Sequence, residues 1–495
     1  MTELNNVLKK LIETTGHKNK CTQDTELGNV CCKVKELLQQ PANIPAWYMS
    51  QEGRDCLIKA IISLADRAGF PQLLSNEKDE QDCNKEFSRV TALAASTLTA
   101  ILTYLKDGHS SLVHTNDPLE EESQRLARGI LRAVTPHCLV LIAMHRDQNN
   151  SWTDRQAKQA TEDLSNVLCQ ISDCSSTSCL LSEGLSKDQD QDSQGFFSPV
   201  LDLLKERLTR EKWEKEPAAR QAFSWCLLQM KHPHLGEHLE RVLPPSLLFV
   251  DDHKVANKLL GIRCLKHIIN NVNPTELRWY GRAMVIYEAL HHQLFSQKPA
   301  LIVQLLPCLI SILAVVERSP HKADEPRNPN RYDSVLQIVL NSMEFEQTLA
   351  LRQAYAQHLH LFIDSMGITV LRSIKRIIRV IVKYLEVSDG QDDVSRMNIL
   401  LSLTSLIHQA WPRMQSHWEV LVTVLLKLMH NVCDESYTST QTVRQCLLDR
   451  SAECLILLRR CCNEDLKKAL EDIHLISSKE NSQMQHIIKK VLDAS

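Results

Sequence analysis

Few residues in this chain have types and spacing that could do chemistry. His234-Leu235-Gly236-Glu237-His238 satisfies an H-x-x-E-H pattern. On an α-helix its two imidazoles would share a face and could hold Zn²⁺, with Glu237 as general base of a zinc-dependent hydrolase. The alternative is a helix start after Pro233, with Glu237 in the first turn and both histidines in water. Three fixed positions are a weak pattern in a chain with 20 histidines, and no downstream acidic helix offers a third ligand. Cys169, Cys174 and Cys179 form C-x4-C-x4-C beside a polar segment. Structural zinc takes four ligands, commonly in closely spaced pairs, so these three read as exposed, oxidisable thiols in a loop. No G-x-x-x-x-G-K-[ST], G-x-S-x-G or G-x-G-x-x-G is present, so neither a phosphate-cradling loop nor a nucleophile elbow is encoded. The reading is of a chain with no catalytic, cofactor-binding or metal residues.

Two other features point to binding. In GITVLRSIKRIIRVIVKYLEV (367–387), Val370, Leu371, Ile374, Ile377, Ile378, Ile381 and Val382 make an apolar stripe. Arg372, Lys375, Arg376, Arg379 and Lys383 fall mainly on the opposite face. Such a helix either carries a solvated charged face or meets an acidic partner; without interleaved aromatics, base stacking has no platform. The other feature is Trp411-Pro412-Arg413 with Trp418. Two large aromatics at a break between helices pack an inter-repeat corner or, as the minority reading, anchor a partner.

The elements that must position these residues are helical. Only 13 of 495 residues are glycine, against about 7% in ordinary proteins, which leaves little material for hairpins and tight turns. The net charge of −3 argues against wholesale phosphate binding, hence no nucleic acid. The 17 cysteines are odd in number, and Cys226, Cys264, Cys308 and Cys454 sit on apolar helical faces. They fit a reducing compartment. The N-terminus lacks the pattern of a signal peptide. The longest apolar segment, 301–316, is interrupted by Gln304, Pro307 and Ser311 and falls short of the roughly 20 residues of a membrane span. The expectation is a cytoplasmic and nuclear protein with no membrane partner.

Residues 237–272 show the repeating unit. An apolar run broken by Pro244 and Pro245 meets an acidic corner at Asp251 and Asp252. A second run follows with Val255, Leu259, Ile262, Leu265, Ile269 and Val272 at helical spacing. Such a pair needs neighbours on both sides to bury its surface. The corners at Asp389 and Asp434 lie one HEAT-type period apart, roughly 40–47 residues. The fold class predicted is all-α, a HEAT/armadillo-like helical-repeat solenoid. Its parts are a less regular N-terminal helical region (1–171), a polar flexible linker (172–195), and a C-terminal repeat region (196–495) with an insertion at 319–332. Helices are expected at 52–68, 90–105, 123–145 with Pro136 near a helix start, 153–171, 233–249, 275–296, 299–316 and 367–387, among others. Gly261, inside a helix, implies a close helix–helix approach, because glycine there costs about 1 kcal/mol relative to alanine.

The wording of these blocks carries a resemblance. HLERVLPPSLLFVDDHKVANKLLGIRCLKHIINNV (238–272), Phe223-Ser224-Trp225, the stretch 384–390, Gln409 to Arg413 and the stretch 453–461 resemble, in order, blocks of the Telo-two-interacting protein two family. The resemblance covers about 195–465. It implies a HEAT-repeat subunit of the Triple T co-chaperone complex, bound to two sister subunits. It further implies action with the ninety-kilodalton heat-shock chaperone and its co-chaperone complex to mature and stabilise phosphatidylinositol-3-kinase-related kinases, ATM, ATR and mTOR among them. That places it in the DNA-damage response and in growth signalling. Apart from the hydrolase, the alternative is a generic helical-repeat transport or scaffold adaptor.

Overall fold

The structure is a computed structural model. It describes residues 2–16, 21–39, 50–69, 77–110, 118–147, 150–185, 195–317, 328–434, 437–462, 464–477 and 482–493. Every regular element among them is helical. The chain divides into two compact units, Met1–Pro245 and Ser246–Ser495.

The first unit contains α1 (Thr2–Gly16), α2 (Cys21–Leu38), α3 (Gln51–Arg67), α4 (Glu77–Ser110), α5 (Pro118–Met144), α6 (Arg155–Ile171), α7 (Thr177–Ser182), α8 (Phe197–Lys205) and α9 (Pro217–Gln229). Starts are written in the sequence. Ser50 accepts a hydrogen bond from the Gly53 amide (3.1 Å) and Asp154 from the Ala157 amide (2.7 Å), satisfying amides that the helix itself leaves unpaired. α1, α3 and α5 pack side by side, as do α2, α4 and α6, so the hairpins stack as two layers. Leu11, Ile61, Leu64, Leu98, Leu102 and Leu139 fill the space between them with no exposure. Pro136 lies inside α5 rather than near a start; the helix runs through it and forgoes one backbone hydrogen bond. α4 begins at Glu77, inside what reads as a charged link.

The segment 172–195 departs from a mobile linker over its first half. Ser176 caps α7, whose Leu180 and Leu181 are fully buried, and the Phe196 amide donates to the Leu180 carbonyl (3.1 Å). Two leucines and a cap suffice to seat a short polar-looking segment. Residues 186–194 lie outside the described residues. The unit boundary falls at Pro245, not in this segment.

α10 (Leu239–Asp251) carries Pro244 and Pro245 without breaking. The second unit continues with α11 (Val255–Asn271), α12 (Pro274–Arg278), α13 (Arg282–His292), α14 (Pro299–Val316), α15 (Arg331–Phe345), α16 (Leu349–Ala356), α17 (Leu359–Met366), α18 (Ile374–Glu386), α19 (Val394–Met414), α20 (Trp418–Cys433), α21 (Gln441–Cys461), α22 (Glu464–Ser477) and α23 (Ser482–Asp493). The second helices of successive hairpins pack in sequence: α11 on α14, α14 on α16, α16 and α17 on α19, α19 on α21. The first helices do the same, α15 on α18 and α18 on α20. Two stretches, Arg125–Met144 of α5 and all of α14, are long and apolar enough to cross a membrane; in this fold they are central helices packed on neighbours in their own units.

Gly261 shows why the hairpin α10–α11 is close. A Cβ there would stand 2.6 Å from the Val250 amide nitrogen and 2.9 Å from the Phe249 carbonyl carbon. Only glycine lets the two backbones approach this far. Of the expected insertion 319–332, residues 319–327 lie outside the described residues. Asn330 already caps α15, with Asp333 reciprocating to its amide (3.0 Å).

Candidate partner-binding surface

The H-x-x-E-H residues do not form the geometry that zinc chemistry requires. His234 lies in a turn and Gly236–His238 form a single 3-10 turn, with α10 starting only at Leu239. The two imidazoles therefore do not share a helical face. His238 packs edge-on against Phe197 (5.0 Å between ring centres), and burial lowers its pKa. Among the described residues no group of three or more His, Cys, Asp or Glu is arranged to hold a metal.

The cysteine trio also differs from exposed loop thiols. Cys174 is buried, with its thiol directed at the carbonyls of Ser172 (3.4 Å) and Gly184 (3.2 Å). Cys169 and Cys179 are half-buried and burial raises the pKa of both, keeping them as the less reactive protonated thiols. Cys264, Cys308 and Cys454 are fully buried as their positions predict, with pKa values pushed up by burial to about 12.

The basic stripe divides into two sets. The segment opens as a 3-10 helix, Gly367–Ser373, before α18. Arg372 pairs with Asp333 (3.0 Å), and the Arg376 guanidinium meets both oxygens of Glu344 (each 3.0 Å) and hydrogen-bonds Gln337 and Asn341. Lys383 donates to the Glu344 carbonyl. Asp333, Gln337, Asn341 and Glu344 form one polar stripe at helical spacing on α15. The Arg376 hydrogen bond holds the Glu344 carboxyl below its usual pKa. Three of the five cations are therefore bound inside the unit. Lys375 is exposed, and the Arg379 side chain is 73% exposed with only a long 3.8 Å approach to Glu344.

Next to these two lies the α19–α20 corner. Ala410 (φ −121°, ψ 17°) kinks α19 ahead of Pro412. The kink turns Met414 into the core, fully buried, and leaves Trp411 60% exposed. Corner packing thus falls to Met414 and Ala410, not to Trp411; Trp418 is half-buried. Pro412, Arg413 and Val420 are also exposed. Burial lowers the His417 pKa and the nearby Lys375 charge lowers it further, which places α18 and the corner in one neighbourhood. The resulting surface is apolar at Trp411 and Val420 and basic at Lys375, Arg379 and Arg413.

The same end of this unit displays residues that periodicity missed. The expected helix 275–296 is interrupted: Tyr280 (φ 55°) and Gly281 (φ 69°) adopt left-handed backbone between α12 and α13. Trp279 is 59% and Tyr280 88% exposed. The left-handed region costs a residue with a Cβ about 1–2 kcal/mol. The one available signal was glycine directly after two aromatics.

A family model described as the Tti2 family matches residues 138–392. A human protein named TELO2-interacting protein 2 is 36% identical over 356 residues, 72% of this chain and 69% of its own length. The mouse protein of that name is 36% identical over 366 residues, 74% of this chain and 70% of its own. Among solved structures, a chain from one concerned with Kap95p binding to RanGDP is similar with a TM-score of 0.50 and 14% identity. The similarity covers 98% of this chain and 53% of that one. The fold is that of HEAT-repeat solenoids, and at this identity the likeness speaks to fold alone.

Proposed function

The chain belongs to the Tti2 family, and on that premise we propose that it is a non-catalytic HEAT-repeat subunit of the Triple T co-chaperone complex. It binds a TELO2-related protein and a second sister subunit. Through them it meets the heat-shock chaperone and its co-chaperone complex, which mature and stabilise phosphatidylinositol-3-kinase-related kinases. Its place is the cytoplasm and nucleus, in the DNA-damage response and growth signalling. The observation that carries the reading is 36% identity over 72% of this chain to a protein named for its interaction with TELO2. The zinc-hydrolase reading has no structural support, since His234 and His238 share no helical face.

Lys375, Arg379, Trp411, Arg413 and Val420 supply a contact surface for an acidic region of a sister subunit. Arg372, Arg376 and Lys383 shape that surface by fixing α18 on α15. Exposed aromatics flanked by arginine are the composition of interface anchors. Affinity purification of the full chain followed by mass spectrometry is expected to recover both sister subunits. Recovery of neither overturns the reading. A Lys375→Glu/Arg379→Glu variant is expected to weaken assembly at least tenfold at low salt, with less difference as salt screens both forms. Unchanged assembly and salt dependence would remove this surface from the interface.

A further inference from the structure

The opposite end of the second unit exposes a different set of side chains. There each first helix of a hairpin turns into its second, so the turns line up along one edge of the two layers. Three consecutive turns display apolar groups. Phe295, between α13 and α14, is 69% exposed. Phe345 and Leu349, between α15 and α16, are 80% and 46% exposed, and Val387 and Val394, between α18 and α19, are 50% and 36% exposed. The preceding turn, Asp251 to Lys254, is polar, and in the following one Tyr437 is engaged by Asp393 and Arg396. The apolar row is therefore bounded at both ends. Such side chains add little to the folding of this unit, and clustered exposed apolar groups mark sites of association.

Spacing and charge identify the occupant. Neighbouring helices in a layer lie about 8–10 Å apart, so successive turns are separated by about that distance. Residues seven apart on an α-helix are separated by about 10.5 Å. A helix laid along this edge would set apolar residues i, i+7 and i+14 on the three turns in succession. Lys298 is exposed beside Phe295, whereas Glu386 and Asp392 are exposed beside Val387 and Val394. The row thus runs from positive to negative. The positive end of a helix dipole is its N-terminus, which fixes the direction.

We propose that this edge receives an amphipathic helix of about 15 residues from a sister subunit. Its N-terminus lies over Glu386 and Asp392 and its C-terminus over Lys298. The inference rests on the assembly proposed above and adds a second contact to it, distinct from Lys375, Arg379 and Trp411. The test is photo-crosslinking within the assembled complex, using chains that carry p-benzoylphenylalanine in place of Val387, Phe345 or Phe295, one position at a time. The expected crosslinks fall on one helical segment of one sister subunit, the Phe345 and Phe295 positions reaching about one and two heptads C-terminal to the Val387 position. Phe345→Asp and Val387→Asp are expected to weaken assembly at least tenfold while leaving thermal unfolding unchanged. A complex that assembles but shows no crosslink from the three positions, the reverse order, or crosslinks to a second copy of this chain overturns the proposal. A native chain that assembles with neither sister overturns the function it rests on, and this contact with it.

Discussion

At the scale of single residues, Gly261 and two buried histidines make the sharpest statements. A methyl group at 261 would meet the Phe249 and Val250 backbone and the stiff, β-branched Val250 side chain (Cγ2 at 2.7 Å). The overpacking cost of about 1–3 kcal/mol therefore exceeds the roughly 1 kcal/mol that alanine gains as a helix former. Gly261→Ala is expected to lower the unfolding free energy despite that gain, and Gly261→Leu to lower it further; thermal denaturation of purified variants measures both. His145 is fully buried, within hydrogen-bond reach of Thr153 (2.9 Å) and Thr91 (3.4 Å), and burial lowers its pKa to about 4. His358, in the other unit, is lowered to about 4 for the same reason. The unfolded chain takes up these protons near pH 6.5, the folded chain not until about 4. Each histidine therefore destabilises its unit increasingly as pH falls from 6.5 towards 4, by up to about 3 kcal/mol, and by a constant amount below that. Chemical denaturation across this range is expected to show the fall, reduced in His145→Gln.

At the scale of elements, cross-helix polar pairing holds hairpins in register. Arg376 against Glu344 locks α18 on α15 in a half-buried setting, so Arg376→Glu opposes two carboxylates and is expected to lower the melting temperature. Lys375→Glu, in water, is expected to leave it nearly unchanged; circular dichroism melts distinguish the two. One hairpin on, the buried Arg396 donates to the Leu385 carbonyl (3.0 Å) and the Tyr437 hydroxyl (2.8 Å) beside Asp393. Asp393 accepts from Ser388 and the Asp389 amide (each 2.9 Å). Arg396→Met strands the buried Asp393 carboxylate and is expected to cost about 3–5 kcal/mol, readable in urea unfolding. Helices and their pairing were legible in the sequence because a 3.6-residue apolar period survives tertiary context. The acidic corners at Asp389 and Asp434 marked the repeat because both sit where a first helix ends. What periodicity cannot hold is the identity of the facing helix. The basic stripe looked available because its counter-stripe, Asp333 to Glu344, lies on another element. Trp411 looked like a packing residue because the kink at Ala410 has no periodic signature.

At the scale of the whole molecule, the fold class followed from scarce glycine and repeated hairpins, and the family from the wording of a few blocks. The boundary between units did not: a polar segment at 172–195 suggested it, but apolar patterning on both sides of Pro245 conceals it. The exposed groups of the second unit lie at the two ends of its hairpins, one basic and aromatic, the other apolar and graded in charge. That placement makes the chain its own optical reporter. Trp213 is buried, whereas Trp279 and Trp411 are more than half exposed at the same end of their unit. Among the described tryptophans these last two are the most exposed, so they are the ones expected to be most open to collisional quenching. A partner that seats on Trp411 is expected to shield one quenchable population and shift its emission to shorter wavelength. A helix bound only along Phe295, Phe345 and Val387 should leave that signal unchanged. Trp411→Phe and Trp279→Phe variants assign the populations, so engagement of the Trp411 end can be followed by light alone.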